Sequence, residues 1–352
     1  MTIRGRLIGP GQPAYIIAEM SGNHGQSFEQ AAQIVRAAKD CGADAIKFQT
    51  YTPDTLTIDC DSEFFTIKGT LWEGKNLYDL YSEAYTPWEW QPRLKAEANS
   101  LGLDCFSTPF DSTAVAFLEQ MDVPAHKIAS FELVDLALIR EVARTGKPVI
   151  MSTGMASVPE IQEALEAFRD AGGTQVALLK CTSAYPSPPE EMNLRTITHL
   201  AQTFEVPIGL SDHTLGIAVP IAAVALGACI VEKHLTLSRS IPGPDSSFSL
   251  EPAEFKEMTA AIREVELAFG EVSYEITSHE KSSRIFRRSL FAVTDIETGE
   301  TLTQANVRSI RPGYGLSPKY FDQVIGARAK TRINRGTPLS WELVDIKNAP
   351  AE

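Results

Sequence analysis

The segment VPIGLSDHTLGIAVPIAAVALGACIVEKHLTL, from Val206 to Leu237, has the pattern of a strand, a helix and a second strand that are all buried. Val206 to Leu210 and Ala228 to Val231 are short apolar runs, and Gly216 to Leu226 between them is apolar and rich in alanine. Continuous apolar runs of this kind are typical of parallel strands that helices cover. The segment therefore predicts an α/β protein with a parallel sheet.

Both predicted strands end in polar residues. These are Ser211, Asp212 and His213 after the first strand, and Glu232, Lys233 and His234 after the second. Carboxyl ends of parallel strands meet at one edge of a sheet, where active sites of α/β proteins lie. A single histidine there is more often a hydrogen-bonded core residue than a ligand, but the pair favours a divalent metal site with open positions. Asp212 and Glu232 are candidates to orient a ring or to add negative charge.

The same alternation of apolar strand, polar strand end and amphipathic helix recurs along the chain. The predicted strands are Ala14–Ala18, Asp44–Phe48, Leu103–Phe106, Ala125–Ala129, Pro148–Met151, Gln175–Leu179, Pro207–Leu210 and Ala228–Val231. The clearest helices are Phe28 to Cys41, Pro159 to Ala171 and Pro252 to Phe269. Eight such units in about 270 residues predict a (β/α)8 TIM barrel, with a doubly wound sheet as the alternative.

One connection is much longer than the others. Over thirty residues, Tyr51 to Thr86, separate the second strand from a helix that starts near Pro87, and many of them are aromatic. A long loop after a barrel strand lies on the active face, so it can shape the substrate pocket. An excursion packed on its own aromatic side chains is an equally good interpretation.

Polar groups from every strand should form one rim. The candidates before the two histidines are Glu19, Lys47, Gln49, Ser107, Thr108, Lys127, Ser130, Glu132, Ser152, Thr153, Lys180, Thr182 and Ser183. An unpaired buried ammonium is costly, so the lysines must face partners or an anionic ligand. Cations and hydroxyls on one rim suit a phosphate and a carboxylate, whereas pairing with a barrel acid is favoured for Lys180 and Lys233. His126 alternates with Lys127 and should face the helices.

Composition limits the partners and the compartment. The net charge of -13 argues against nucleic acid or acidic lipid. Because no signal peptide or membrane-spanning segment is evident, we expect a cytoplasmic protein. The five cysteines, without CxxC spacing, predict reduced and mostly buried thiols.

The carboxyl-terminal tail differs from the rest of the chain. Residues 284–352 hold 11 Lys and Arg against 7 Asp and Glu, so they are basic while the remainder is acidic. A pattern in the tail recurs 37 positions later, which predicts two related β-turn-β units. The matching residues are Ile296, Gly299, Leu302, Thr303 and Val307, followed by Ile333, Gly336, Leu339, Ser340 and Val344. We predict a catalytic domain at 1–271, a linker at 272–285 and a small β-rich domain at 286–352.

Several strings resemble one known family in order and over nearly the whole chain. They are IIAEMSGNHGQSFEQA, GADAIKFQTYTPDTLT, FSTPFD, STGMAS, LLKCTSAYP, GLSDHTLG, EKHLTL and GPDSSFSLEP. The sequence resembles the sialic acid synthase family, and YTPDTLT, EAYTPWEW, PPEEMNLRTI and RRSLFAV look most like its pseudaminic acid synthase branch. The tail, with RPGYG at Arg311 to Gly315, resembles the antifreeze-like (SAF) domain that ends such enzymes.

The resemblance implies an enzyme that condenses phosphoenolpyruvate with an open-chain amino sugar, releasing phosphate and making a nine-carbon 2-keto acid. In the pseudaminic acid branch the sugar is 2,4-diacetamido-2,4,6-trideoxy-altrose. Neuraminate and legionaminate synthases share the core chemistry, so the sugar stays open. A class I aldolase with a Schiff-base lysine and a non-catalytic sugar-binding protein are alternatives of other classes.

The resemblance also assigns roles to residues. It implies a divalent metal, manganese or magnesium, on His213 and His234, and a water-handling acid at Glu132. Positions that match the phosphoenolpyruvate site are Lys47, Thr108, Lys127, Ser130 and Ser183, the last standing where the neuraminate branch has asparagine. Positions that match the sugar and metal site are Glu19, Gln49, Tyr185 and Asp245, and Ser211 is a further candidate for substrate binding. Arg311 is expected to complete the sugar site of the other subunit in a domain-swapped homodimer, and the role of His24 stays open.

Overall fold

Eight parallel strands close into a barrel in the first of two units, residues 1–270 and 271–345, of the computed structural model. The structure describes residues 1–345, so the end of the predicted tail domain, 346–352, lies outside the described residues. The barrel strands are β3 (Tyr15–Glu19), β4 (Ala45–Thr50), β5 (Asp104–Pro109), β6 (His126–Ile128), β7 (Val149–Ser152), β8 (Val176–Cys181), β9 (Ile208–Asp212) and β10 (Ile230–His234). They pair in chain order, and β10 pairs with β3. The closed order confirms the TIM barrel and excludes the doubly wound sheet.

The strand positions differ from the prediction in a systematic way. All eight strands begin one or two residues later than predicted, and seven of them continue beyond the apolar run into polar residues. Polar side chains do not end a strand as long as the backbone ladder can continue. In β10, for example, Lys233 and His234 still pair with Ala18 and Glu19 of β3. The polar residues are therefore held on rigid strands and not on loops.

Ten helices flank the barrel strands. They are α1 (Phe28–Asp40), α2 (Pro53–Leu56), α3 (Leu77–Ala84), α4 (Gln91–Ser100), α5 (Ser112–Gln120), α6 (Leu136–Arg144), α7 (Val158–Asp170), α8 (Arg195–Phe204), α9 (Ala218–Ala225) and α10 (Pro252–Phe269). Side-chain caps fix several starts, such as the capping box that Ser157 and Glu160 form at α7. No helix among residues 1–345 is long and apolar enough to cross a membrane.

The barrel interior is apolar at its amino-terminal end. Its buried cluster includes Tyr15, Ile17, Phe106 and Ile150, together with Ile3 from a short amino-terminal hairpin. That hairpin, β1 (Thr2–Ile3) with β2 (Arg6–Leu7), contributes to the same core and covers this end. The carboxyl end of the barrel is left for polar groups.

The second unit is a small β-rich fold with its own core. It contains β11 (Ser289–Ala292), β12 (Val307–Ile310), α11 (Phe321–Val324), β13 (Arg328–Ala329) and β14 (Val344–Asp345). β11 pairs antiparallel with β12, and β13 pairs antiparallel with β14. The predicted repeat is confirmed, because each copy forms one of these hairpins and Ile296 bridges Ile333 in the shared core. All five cysteines are free and four are buried, as predicted.

Candidate active site

A layer of charged side chains lies inside the barrel directly above its apolar core. Strand alternation places Glu19, Lys47, Lys127, Ser211 and Glu232 on the interior face, two residues beyond apolar interior positions. Each of them is less than 4% exposed except Glu232, which is 4% exposed. Two ammonium groups and two carboxylates are therefore buried together where the barrel opens.

The central cation is Lys47. Its Nζ lies 2.8 Å from Glu19 Oε2 and 3.4 Å from Glu232 Oε1, and it donates a hydrogen bond to Thr108 Oγ1 at 3.1 Å. Burial alone would lower the pKa of Lys47, but the two carboxylates outweigh burial and raise it. Lys47 is therefore charged throughout the physiological range.

Lys127 is the less neutralised cation. Its Nζ donates to Ser152 Oγ at 2.6 Å and to the Ile128 carbonyl at 3.0 Å, while the nearest carboxylate oxygen, Glu232 Oε1, is 3.9 Å away. Burial lowers the pKa of Lys127, and Glu232 only partly opposes this. A buried cation with this surplus of positive charge favours an anionic ligand.

His213 and His234 meet at the rim, with ring centroids 5.3 Å apart. The Nδ1 atom of His213 lies 3.0 Å from the Thr182 carbonyl, an arrangement that makes Nδ1 the donor and leaves Nε2 with a free lone pair. Nδ1 of His234 is buried and has no hydrogen-bond partner among residues 1–345. Burial, with the cations nearby, lowers the pKa of His234 well below its usual value, so its ring is neutral.

These two rings fit a metal with most of its positions open. The neutral ring of His234, with an unpartnered nitrogen, is suited to bind a metal. The carbonyl that accepts from Nδ1 of His213 fixes the tautomer in which Nε2 can bind a metal. Across residues 1–345, no group of three or more His, Cys, Asp or Glu side chains is arranged to hold a metal. The chain would therefore supply two ligands here and leave the others to substrate and water.

The two acids named with the histidines have other roles than orienting them. Asp212 faces away from the barrel interior, where Lys233 Nζ donates to its Oδ2 at 2.5 Å and Thr214 Oγ1 donates to the same atom at 3.0 Å. Glu232 faces the lysines of the interior layer. Of the two roles expected for these acids, orienting a histidine ring is wrong, because strand alternation turns Asp212 outward and Glu232 toward stronger partners. Both acids nevertheless add negative charge near His213.

The other two barrel lysines lie outside the interior layer. Lys233 is buried against Asp212, which confirms the predicted ion pair. Lys180 also faces outward, but it donates to the Cys181 carbonyl at 2.8 Å and to Thr182 Oγ1 at 2.9 Å. The predicted pairing of Lys180 with an acid is therefore wrong, since backbone and hydroxyl oxygens supply its partners.

Two further histidines have structural contacts. His126 Nε2 lies 2.8 Å from Glu119 Oε1 of α5, which confirms that it faces the helices. His24 is completely buried; its Nδ1 accepts from the Gln26 amide at 3.1 Å, and its Nε2 is 3.2 Å from Thr86 Oγ1. Burial lowers the pKa of His24 to about 4, so it is a neutral link between the β3–α1 turn and the end of the long loop.

A cavity of about 350 Å³ lies over the charged layer. Its polar lining includes Gln49, Glu132, Tyr185, His234 and Asp245. The long loop provides much of the remaining wall, with Tyr51, Leu56, Ile67, Thr70, Trp72, Leu77, Leu80, Tyr81 and Ala84. Of the two interpretations of this loop, the pocket-forming one is confirmed, although its aromatic side chains also pack on each other, as Tyr51 and Tyr81 do.

The sugar-site candidates are held by a chain of hydrogen bonds. Gln49 Nε2 donates to Glu19 Oε1 at 3.2 Å and to Ser21 Oγ at 3.0 Å, and Ser21 Oγ donates to Asp245 Oδ2 at 2.5 Å. The Gly22 amide also donates to Asp245 Oδ2, at 3.1 Å. Burial raises the pKa of Asp245. Each group is thus fixed before any ligand arrives, which reduces the entropy lost on binding.

Tyr185 lies between the long loop and the two histidines. Its ring lies 4.4 Å from that of His213 and 5.5 Å from that of Trp72, measured between centroids. Trp72 Nε1 donates to the Pro244 carbonyl at 2.9 Å, which fastens the tip of the long loop to the loop after β10. Burial raises the pKa of Tyr185, so its hydroxyl is a donor at any working pH.

The hydroxyl candidates cluster beside a glycine that no other residue could replace. A Cβ atom at Gly154 would lie 2.4 Å from Ser130 Cβ and 3.0 Å from Ser183 Oγ, and the φ of Gly154 is +46°. Thr108 joins the same layer through Lys47, and Ser211 Oγ donates to Glu232 Oε1 at 3.2 Å. The structure thus brings together the hydroxyls that sequence reasoning selected on four separate strands.

Glu132 stands apart from the charged layer, in a 3-10 turn (Glu132–Val134) after β6. It lines the cavity, and its Oε2 is buried without a hydrogen-bond partner in residues 1–345. Burial raises the pKa of Glu132 to about 7, although its own backbone and Lys127 oppose the shift. A carboxyl group with this pKa can exchange a proton near neutral pH.

Sequence reasoning missed Ser21 and Cys181 as parts of the site, and it predicted the long loop as a possible pocket wall without selecting Trp72 and Tyr81 from its aromatic residues. Cys181 Sγ lies 3.8 Å from Ser183 Oγ and 3.9 Å from His213 Nδ1. Its interior position follows from alternation with Lys180, a signal that the sequence carried. Trp72 and Tyr81 had no such signal, because loop residues have no period from which their direction can be read.

Arg311 belongs to the second unit and is exposed there. The loop that carries it is anchored by Ser289, whose buried Oγ donates to the Pro312 carbonyl at 2.7 Å and accepts from the Gly315 amide at 2.8 Å. A further bond runs from the Gly313 amide to the Ile285 carbonyl at 2.9 Å. The loop is thus a rigid support for an exposed guanidinium.

Comparison with known proteins identifies the families that the chain matches. Residues 34–274 match the NeuB family and residues 287–345 match the SAF domain. The pseudaminic acid synthase of Campylobacter jejuni is 45% identical over 325 residues, 92% of this chain and 95% of that protein. The N,N'-diacetyllegionaminic acid synthase of Legionella pneumophila is 34% identical over 342 residues, 96% of each chain.

A solved structure has the same architecture. The N-acetylneuraminic acid synthetase of Leptospira borgpetersenii, in complex with citrate, aligns with a TM-score of 0.71 and 32% identity. The alignment covers 80% of this chain and 94% of that one. The chain therefore belongs to the NeuB family, the sialic acid synthase family that its motifs resemble.

Proposed function

We propose that this protein is a pseudaminic acid synthase, which condenses phosphoenolpyruvate with 2,4-diacetamido-2,4,6-trideoxy-L-altrose and water to give a nine-carbon 2-keto acid and phosphate. The observation that carries the proposal is the buried Lys47 and Lys127 layer beneath the His213 and His234 pair and a sugar-sized cavity. The 45% identity to the Campylobacter jejuni enzyme, against 34% to the legionaminic acid synthase, favours this sugar.

The cationic layer supplies the phosphoenolpyruvate site. A trianionic substrate needs buried cations and hydroxyl donors, and Lys127 is the less compensated of the two interior lysines. Thr108, Ser130, Ser183 and Ser211 surround the same layer and can bind phosphate or carboxylate oxygens. Glu19 and Glu232 keep the empty site close to neutral, so that the two lysines do not repel each other before substrate binds.

The histidine pair is the proposed metal site. When bound to His213 and His234, a divalent cation supplies Lewis acidity to the sugar's carbonyl oxygen. Imidazole ligands suit Mn²⁺ better than Mg²⁺, which prefers oxygen, so we propose Mn²⁺ first and Mg²⁺ second. Gln49, Tyr185 and Asp245 then orient the sugar against the reacting groups.

Glu132 is the proposed base for water. Carbon 3 of phosphoenolpyruvate forms a bond to the aldehyde carbon of the sugar, whose oxygen takes up a proton from solvent, and carbon 2 becomes cationic. Water adds at carbon 2 and gives one proton to Glu132, which returns it to solvent. The bond between carbon 2 and the phosphate oxygen then breaks, and the remaining hydroxyl proton leaves with phosphate as the 2-keto group forms. A carboxyl group of pKa about 7 is suited to this step because it is ionised, yet basic, near neutral pH.

The preferred sugar substrate distinguishes pseudaminic acid synthesis from neuraminate and legionaminate synthesis. We expect kcat/KM for 2,4-diacetamido-2,4,6-trideoxy-L-altrose to exceed that for N-acetylmannosamine and for the manno-configured diacetamido sugar by at least about tenfold. Phosphate release from phosphoenolpyruvate measures all three rates. Preference for N-acetylmannosamine would assign the protein to neuraminate synthesis, and trapping of pyruvate on a lysine by borohydride would favour a class I aldolase.

Loss of Lys127 should act mainly on phosphoenolpyruvate. In Lys127→Met the charged hydrogen-bond donor disappears while the side-chain length is kept, so the KM for phosphoenolpyruvate should rise about 10- to 100-fold. The KM for the sugar should stay within about twofold. Lys180→Met is the matched control, because Lys180 faces away from the barrel interior. Equal effects on both substrates would contradict the placement of the anion beside Lys127.

The pH dependence of turnover should report Glu132. If its carboxylate accepts the proton from water, kcat should rise with pH through about 7 and then level. Glu132→Gln should lose this limb and fall about 100-fold or more in kcat. A rising limb that persists in Glu132→Gln would assign it to another group.

The same residue should affect stability with a defined sign. The pKa of Glu132 is near 4.5 when unfolded and about 7 when folded, so its stabilising contribution is present below pH 4.5 and lost as pH rises through 7. Compared with wild type, Glu132→Gln should gain up to about 3 kcal/mol in free energy of unfolding between pH 5 and pH 8. Denaturant titrations at both pH values test this. The exposed Glu163→Gln should show no such difference.

We further propose a cytoplasmic homodimer in which residues 272–285 link the catalytic domain at 1–271 to the SAF domain at 286–352. What supports the swap is the basic tail, the polar segment before it and the exposed, rigidly anchored Arg311. A guanidinium on a firm loop suits the hydroxyl-rich end of a sugar.

A further inference from the structure

The cavity over the charged layer has two chemically different halves. Toward the barrel it is lined by Ser21, Gln49, His234 and Asp245, all polar. Its other end is lined chiefly by apolar groups of the long loop and the loop after β5, namely Leu56, Ile67, Leu77, Leu80, Ala84 and Phe110. Two tyrosines, Tyr51 and Tyr81, lie among these apolar residues.

The proposed reaction fixes which end of the sugar enters which half. The aldehyde carbon must approach the lysines and histidines of the barrel, so carbons 4 to 6 extend toward the apolar half. Those carbons are where the candidate sugars differ, because the trideoxy sugar has an acetamido group at carbon 4 and a methyl group at carbon 6. A hexosamine has hydroxyl groups at both positions.

We propose that residues 51–84 form a specificity subsite, in which Leu56, Leu77 and Leu80 hold the 6-methyl group and the hydroxyls of Tyr51 and Tyr81 donate to the 4-acetamido carbonyl. This inference rests on the proposed function and deepens it. An apolar wall favours a methyl group over a hydroxymethyl group, whose hydroxyl would lose its water without gaining a partner.

The hydroxyls of Tyr51 and Tyr81 are available to donate hydrogen bonds to a ligand. Tyr51 is only 2% exposed, and its ring is held edge-on between Tyr81 and Phe110 at centroid distances of 5.7 and 5.2 Å. Both residues line the cavity, and neither hydroxyl is among the fully buried side-chain atoms of residues 1–345, so both can be reached from the cavity. Tyr78 on the same helix, by contrast, donates to Asp54 Oδ1 at 3.2 Å. Accessible donors inside a cavity favour a ligand acceptor.

Two sugar analogues separate the contributions. One carries a hydroxyl in place of the 4-acetamido group, and the other carries a hydroxymethyl in place of the 6-methyl. For wild type we expect kcat/KM to fall at least about tenfold with either analogue. Tyr51→Phe and Tyr81→Phe should lower kcat/KM for the diacetamido sugar about tenfold and leave that of the 4-hydroxy analogue within about threefold. Tyr78→Phe is the matched control and should change neither.

The apolar wall is tested in the same assay. Leu80→Asn should reduce the preference for 6-methyl over 6-hydroxymethyl at least about tenfold, whereas Ile58→Asn, at an exposed position of the same loop, should not. Should Leu80→Asn fail to fold by circular dichroism, the tyrosine variants decide. The subsite would be overturned if wild type used both analogues with the same kcat/KM as the trideoxy sugar. It would also be overturned if the variants lowered kcat/KM equally for all sugars. Either result would leave the proposed function intact. Absence of turnover with any diacetamido sugar would defeat the function itself.

Discussion

Turnover is expected to fall by about a thousandfold or more when His234 or His213 is replaced by alanine, equivalent to about 4 kcal/mol of transition-state stabilisation. Each variant removes one of the two imidazoles at the barrel rim, and the described residues offer no group of three His, Cys, Asp or Glu that could hold the metal instead. The fold should survive, because both side chains lie above the apolar core.

The control is another buried histidine. His126→Gln changes a ring that faces α5 and contacts Glu119, so its kcat should stay near that of wild type. Added Mn²⁺ should raise the melting temperature of wild type and of His126→Gln, but not of the rim variants. If His234→Ala turned over at the wild-type rate in metal-stripped buffer, this result would contradict the proposed metal site.

Mixing two inactive chains should restore activity. Arg311→Ala removes the guanidinium of the SAF domain, and His213→Ala disables the barrel, so each homodimer should be inactive. In a swapped hybrid, one site has an intact barrel and receives an intact arginine from its partner. Purified hybrids should therefore regain about half of the wild-type rate per dimer.

Different affinity tags on the two chains allow the hybrid to be isolated and its composition verified. When each tail serves its own barrel, every site keeps one defect, and hybrids stay inactive. A wild-type chain paired with the double variant gives the opposite expectation, because its one intact barrel is paired with an intact arginine only when each tail serves its own barrel. Recovery in the first hybrid, with none in the second, is the result that the swap requires.

Local sequence pattern was sufficient for the barrel and for the direction of its strand residues. Apolar runs located all eight strands to within one or two residues at their starts, and alternation placed Lys47 inside and His126 outside. Both inferences depend only on neighbours in sequence, since a strand turns successive side chains to opposite faces. The family motifs then named five of the residues that line the cavity, namely Gln49, Glu132, Tyr185, His234 and Asp245.

Contacts between side chains on different strands could be identified only from the tertiary structure. Glu232 reaches the Lys47–Glu19 pair only because β10 closes onto β3, which joins residues more than 200 positions apart. The sequence could not show that Lys127 is less compensated than Lys47, nor that Lys180 takes oxygen partners in place of an acid. Long-range electrostatics depends on distances that alternation does not contain.

The long loop shows most clearly what the sequence alone could not determine. Its aromatic composition was compatible with a pocket wall and with a self-packed excursion, and the structure makes it both. Its course is fixed by single contacts to distant segments, such as Thr86 with His24 and Trp72 with Pro244. The sequence alone determined the barrel and the chemical character of its rim, because strands are periodic. The shape of the cavity above that rim was decided only in three dimensions, because a loop without a repeating pattern takes its direction from what it touches.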